Sequence, residues 1–148
     1  VLITSGYKMG KTVLFQPGAD SVRTVWNKAD LRGRFPTPIL DQDYLYGNSE
    51  GELVCVRWRD GKLMWRADDR RLRLGFGGSF TRFDDHLIML SDRGVVSLVR
   101  VTPDECELAS QFQPFRGKEI WTTPVICDGR LYLKGPRHLA CYRISGNR

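Results

Sequence analysis

The chain has 148 residues, 41% of them hydrophobic, which suits one ordered domain and argues against a disordered chain. Its 23 Lys and Arg against 17 Asp and Glu give +6, yet outside Asp68 to Arg73, where Arg70, Arg71 and Arg73 follow two aspartates, the basic residues are interleaved with acids, without the basic stripe or recognition helix of a nucleic-acid binder. No run of 18 apolar residues occurs, so no helical membrane span is expected.

The chain opens at Val1 in a strand-like segment, Val1 to Ser5, with neither Met nor a signal peptide. A piece cut from a longer protein, or a processed mature form, is the expectation. From there the pattern repeats with a period of about 42 residues. TPILDQDYLYGNSEGELVCVR, SFTRFDDHLIMLSDRGVVSLVR and TPVICDGRLYLKGPRHLACYR are three versions of one segment. The first and third align without a gap at an offset of 86, where Thr37, Pro38, Leu45, Tyr46, Leu53, Cys55 and Arg57 recur as Thr123, Pro124, Leu131, Tyr132, Leu139, Cys141 and Arg143.

Each repeat divides into four short strand-forming runs, the pattern of an antiparallel meander. In the first complete copy these are strand A at Pro36 to Leu40, B at Tyr44 to Gly47, C at Leu53 to Trp58 and D at Leu63 to Ala67. Asp60-Gly61 and Asp128-Gly129 are hairpin signals, because a tight reversal needs positive φ at its centre. Pro36, Pro38, Pro124 and Pro136 lie where strands begin, sparing the ladder a missing donor. No stretch of ten residues keeps a helical stripe, and Pro103 to Ala109, despite Asp104 and Glu105, is read as loop and strand.

The count is 14 strands: an all-β chain, a β-propeller made of four-stranded antiparallel meander blades, about three and a half of them. The whole chain, 1–148, is one propeller fragment, with a partial blade at 1–33, blades at 34–75 and 76–118, and a partial blade at 119–148. Such a run does not close on itself, so its outer faces are expected to need cover. If one uncovered face exposes on the order of 400 Å² of apolar surface, the cost is roughly 10 kcal/mol. Further blades, a protein partner or self-association of the isolated fragment would supply that cover.

The segment GELVCVRWRDGKLMW, from Gly51 to Trp65, resembles the repeat of the pyrroloquinoline-quinone-like (quinoprotein-type) β-propellers. Cys55 and Val56 stand for that family's Ala-Leu, Gly61 for its turn Gly and Trp65 for its blade-docking Trp, while Arg57 and Asp60 replace its Asp and Thr. Trp26 resembles the docking position in the first unit; the third unit, around Cys106 to Ser110, has neither Gly nor Trp. Trp121 heads a strand A, matching Phe35 before Pro36. The likeness is greatest to bacterial cell-envelope members that carry the propeller without the quinone, such as an outer-membrane assembly lipoprotein of this fold. It implies a non-catalytic scaffold for protein or ligand interaction, periplasmic or otherwise extracytoplasmic. Quinone enzymes of the family use an adjacent cysteine pair; Cys55, Cys106, Cys127 and Cys141 include none, so no cofactor and no enzyme are expected. The alternatives are a fragment of a quinone-dependent dehydrogenase and a ligand-sensing domain of a larger envelope protein. Neither Gly-His nor Trp-Asp occurs and Gly-Gly occurs once, which sets aside WD and kelch repeats.

Candidate chemistry is sparse. The run Gly75 to Ser79 lacks the Lys and helix of a phosphate loop. His86 and His138 hold different repeat positions and imply no metal pair, and Asp84-Asp85 is a hairpin tip. The cysteines have no metal-ligand spacing and are read as buried free thiols on strands. In the D-to-A connection from Arg66 to Gly78, Arg70, Arg71, Arg73 and Phe76 are the candidate interaction loop, since guanidinium and aromatic groups anchor interfaces.

Overall fold

A computed structural model of the chain describes residues 1–7 and 9–144. It holds 14 strands among those residues, and four antiparallel sheets follow one another in sequence order. The first sheet is three-stranded: β1 (Leu2–Thr4), β2 (Thr12–Pro17) and β3 (Val22–Lys28). The second has four, β4 (Ile39–Asp41), β5 (Tyr44–Ser49), β6 (Glu52–Arg57) and β7 (Leu63–Arg66). The third repeats this plan with β8 (Ser79–Phe83), β9 (His86–Leu90), β10 (Val96–Val101) and β11 (Cys106–Phe112). The fourth again has three strands, β12 (Val125–Cys127), β13 (Arg130–Lys134) and β14 (Leu139–Arg143).

Proline and turn chemistry account for the boundaries. The ladder of β4 starts only at Ile39 because Pro36 and Pro38 have no N–H to donate. Glu50-Gly51 and Asp128-Gly129 have positive φ at both residues, 54° and 99°, then 47° and 67°, the geometry of two-residue hairpin turns. Asp60-Gly61 differs: only Gly61 is left-handed, at 66°. The link there runs from Trp58 to Lys62, closed by the Gly61 N–H donating to the Arg57 carbonyl at 2.9 Å. Asp60 steadies it, accepting from the Lys62 N–H at 3.1 Å and pairing with Arg57 at 2.6 Å. Those donors hold its carboxyl down at about 2.

Each core cluster joins two successive sheets. Leu14 and Trp26 of the first meet Leu45, Val54 and Val56 of the second. Tyr46, Leu53 and Cys55 of the second meet Phe80, Leu87, Met89, Val99 and Val101 of the third. Ile88, Leu90 and Val96 of the third meet Leu131 and Leu133 of the fourth. Alternation drives this order: neighbouring side chains of β6 point to opposite faces, so Val54 and Val56 serve one seam while Leu53 and Cys55 serve the next. Among the described residues no cluster joins the first sheet to the fourth, and the stack is an open arc of propeller blades.

The cysteines correct the uniform reading made from sequence. Cys55 is fully buried, Cys106 half-buried, and Cys127 and Cys141 are exposed; all four are free thiols. Cys141 occupies the repeat position of Cys55, but no further sheet covers that side of the fourth one among the described residues.

Candidate functional site

Three of the four aromatic and glycine positions marked by the repeat lie at one seam type. Trp26, on β3, is buried against the second sheet, and its Nε1 donates to the Trp58 carbonyl at 2.7 Å. Trp65, on β7, packs on the second seam, 6.0 Å from the Tyr46 ring, and donates to the Thr102 carbonyl at 2.9 Å. Trp58 and Thr102 each come directly after the third strand of the following sheet. Gly61 faces Trp26: a Cβ there would lie 2.8 Å from the indole.

Trp121 sits elsewhere. It is 50% exposed and stacks on Phe35, equally exposed, with ring centroids 4.7 Å apart and planes 19° from parallel. The two rings precede β12 and β4, the equivalent strands of alternate sheets. Trp121 also covers Gly77, where any side chain would collide with it. Beside them the Arg34 guanidinium lies 4.0 Å over the Phe76 ring and 5.0 Å from that of Tyr7, close enough for cation–π attraction. Sequence reasoning paired Phe35 with Trp121 as repeat equivalents but missed that they touch.

The candidate interaction loop contains a 3-10 turn, Arg70–Leu72, absent from the sequence reading. Asp69 caps it, accepting from the Arg71 N–H at 2.9 Å while also pairing with the Arg71 guanidinium at 2.7 Å. The contact lowers the carboxyl's pKa and raises the guanidinium's. Arg73 pairs with Glu52 at 2.6 Å, and Glu52 also takes Arg66 at 2.8 Å. Leu72 and Leu74 are buried in the second seam, so the loop is pinned between two sheets. Arg70, Arg71, Arg73 and Phe76 line one cleft of about 620 Å³ together with Arg93 and Asp92. Among the described residues Arg70 and Arg93 are in no ion pair.

Asn48 is the positioning residue that the sequence did not mark. Buried at the end of β5, it donates to the Gly75 carbonyl at 2.8 Å and the Gly78 carbonyl at 3.0 Å, and accepts from the Gly51 N–H at 2.8 Å. The glycine-rich run is thereby tied to the neighbouring hairpin, with Gly75 at φ 70°. His86 pairs with Asp85 at 2.6 Å on the third sheet, whereas His138 lies edge-on to Phe115 with centroids 5.1 Å apart. The described residues contain no group of three or more His, Cys, Asp or Glu able to hold a metal, and no helix long and apolar enough to cross a membrane.

No protein-family model and no curated protein matches the chain. Among solved structures it is similar to BamB from Moraxella catarrhalis, at 18% identity and a TM-score of 0.63. The match covers 89% of this chain but 37% of that one. At such identity the likeness is one of fold: the four stacked sheets share a β-propeller architecture with that structure, and this chain spans about a third of its length.

Proposed function

We propose that the chain is a non-catalytic propeller scaffold that works outside the cytoplasm by binding protein, either further blades or a separate partner. One comparison carries this reading. Ile39, Tyr46, Leu53 and Cys55 of the second sheet lie against the third, the last three buried. Their counterparts at the offset of 86 are Val125, Tyr132, Leu139 and Cys141, and there Val125 is 53% and Leu139 63% exposed. Three of these four equivalents of buried or part-buried residues, Val125, Leu139 and Cys141, stand exposed on the fourth sheet, and Tyr132 is half-buried. The first sheet ends likewise, with Val1, Ile3 and Val22 exposed around a small apolar hollow that Phe15 and Pro17 complete. Apolar surface of this kind marks a place where another polypeptide sits.

The arginine-lined cleft adds charge to the same scaffold. Arg70 and Arg93, without acidic partners, suit an acidic segment of the bound protein, with Phe76 as an aromatic anchor. The test compares the wild-type chain with an Arg70→Ala, Arg71→Ala, Arg73→Ala variant for capture of a purified envelope fraction, after circular dichroism has matched their folds. Capture should fall at least about tenfold for the variant and weaken with salt. Equal capture removes the loop from the binding surface. Dye reduction after addition of quinone and calcium would instead favour a dehydrogenase fragment.

A further inference from the structure

The third seam lacks the side chain that fills the first two. In the ladder, Trp26 is paired with Leu14, Trp65 with Cys55 and Ser110 with Leu98, and in each case the register shifts at the next position. Ser110 therefore stands at the docking-tryptophan site of the third sheet. Where the indole would lie there is a cleft of about 480 Å³, within the roughly 300–1,000 Å³ usual for ligand sites. Ile88, Val96 and Leu98 line it from the third sheet, Leu131 and Ile144 from the fourth. Phe112 and Tyr142, edge to face at 5.2 Å, line it too and remain 42% and 38% exposed. Ile144 follows β14 directly, as Trp58 follows β6 and Thr102 follows β10.

We infer that this cleft binds the indole of a tryptophan presented by a protein partner, which completes the seam from outside. The two filled seams define the occupant: a flat aromatic body between the sheets, with an N–H directed at the backbone carbonyl of the residue that follows the third strand. Ser110 removes the ring but leaves the apolar walls. The cleft is bounded on one side by β14, which pairs only with β13 among the described residues. An extended peptide can thus run beside it and insert one side chain. The inference rests on the scaffold reading for its protein source, yet concerns a different surface from the terminal faces and the arginine cleft.

The probe is a capped pentapeptide with Trp at its centre and Thr at the other positions, titrated into the 148-residue chain at low protein concentration. Saturable binding is expected, with methyl NMR shifts concentrated at Ile88, Leu98, Leu131 and Ile144. Ser110→Trp, which supplies the ring in cis, should weaken binding at least about tenfold, and the peptide with Ala for Trp should not bind. Absence of saturable binding, shifts lying elsewhere, equal affinity in Ser110→Trp, or free indole binding as tightly as the peptide would each overturn the inference. The wild-type methyl map needs no variant, so it decides the matter even where Ser110→Trp fails to fold. Loss of terminal-face association with this map intact would sink only the function proposed above.

Discussion

Gly61 and Trp26 form one contact across the first seam, and each limits what the other position tolerates. Gly61 has a φ of 66°, costly for most side chains, and its missing Cβ leaves room for the indole 2.8 Å away. Trp26 is buried and bonded to the Trp58 carbonyl. Trp26→Ala removes the ring and its hydrogen bond and should cost about 3–5 kcal/mol. Gly61→Ala combines left-handed strain with the clash and should cost about 1–3 kcal/mol. Urea unfolding followed by far-ultraviolet circular dichroism measures both. A double mutant worse than Trp26→Ala by only the left-handed strain, about 1 kcal/mol, would identify them as one contact, because the clash but not the strain disappears with the ring.

At the scale of elements, the strands were legible and the joints only partly so. Alternation and turn residues led to the right count of 14 strands, and Cys106–Phe112 proved to be strand where Pro103 to Ala109 offered a weak helical alternative. Hydrophobic period is a local property, visible in any short window. The 3-10 turn at Arg70–Leu72 is too short to leave a period, and the Phe35–Trp121 stack joins residues 86 positions apart through tertiary geometry alone. The candidate loop was legible as a composition of arginines and Phe76, but not the pairing of Arg71 with Asp69 and of Arg73 with Glu52. Asn48 was hidden for a similar reason: Asn near a turn is ordinary in sequence, and only the fold brings Gly75 and Gly78 to its amide. Asn48→Ala strips one buried carbonyl, one part-buried carbonyl and one buried N–H of their partner, so a loss on the order of 3 kcal/mol is expected. Amide exchange at Gly51 should quicken with it. Unchanged exchange there would mean that the hairpin does not depend on the side chain.

At the scale of the whole molecule, the thiols report which faces are covered. Burial pushes Cys55 up to about 12 and Cys106 up to about 11, and so keeps both protonated and slow to react near neutral pH. Cys127 and Cys141 lie on the outer side of the fourth sheet and are exposed. In dilute solution a thiol reagent at pH 8 should therefore modify two cysteines quickly, Cys106 slowly and Cys55 only on unfolding. Raising the concentration should slow Cys141 in step with a rise in weight-average mass by sedimentation, if uncovered apolar faces drive self-association. Leu139→Lys should abolish both changes, since a charge on that face costs more to bury than the apolar contact returns. The raised thiol pKa also sets a sign for alkaline stability. The folded state holds its Cys55 proton from about pH 9, where an unfolded thiol ionises, to about 12, so stability falls as pH rises through that window. Cys141 labelling that stays fast at every concentration while mass increases would place association on the Val1, Ile3 and Val22 face instead, and Val22→Lys would then be the variant that abolishes it.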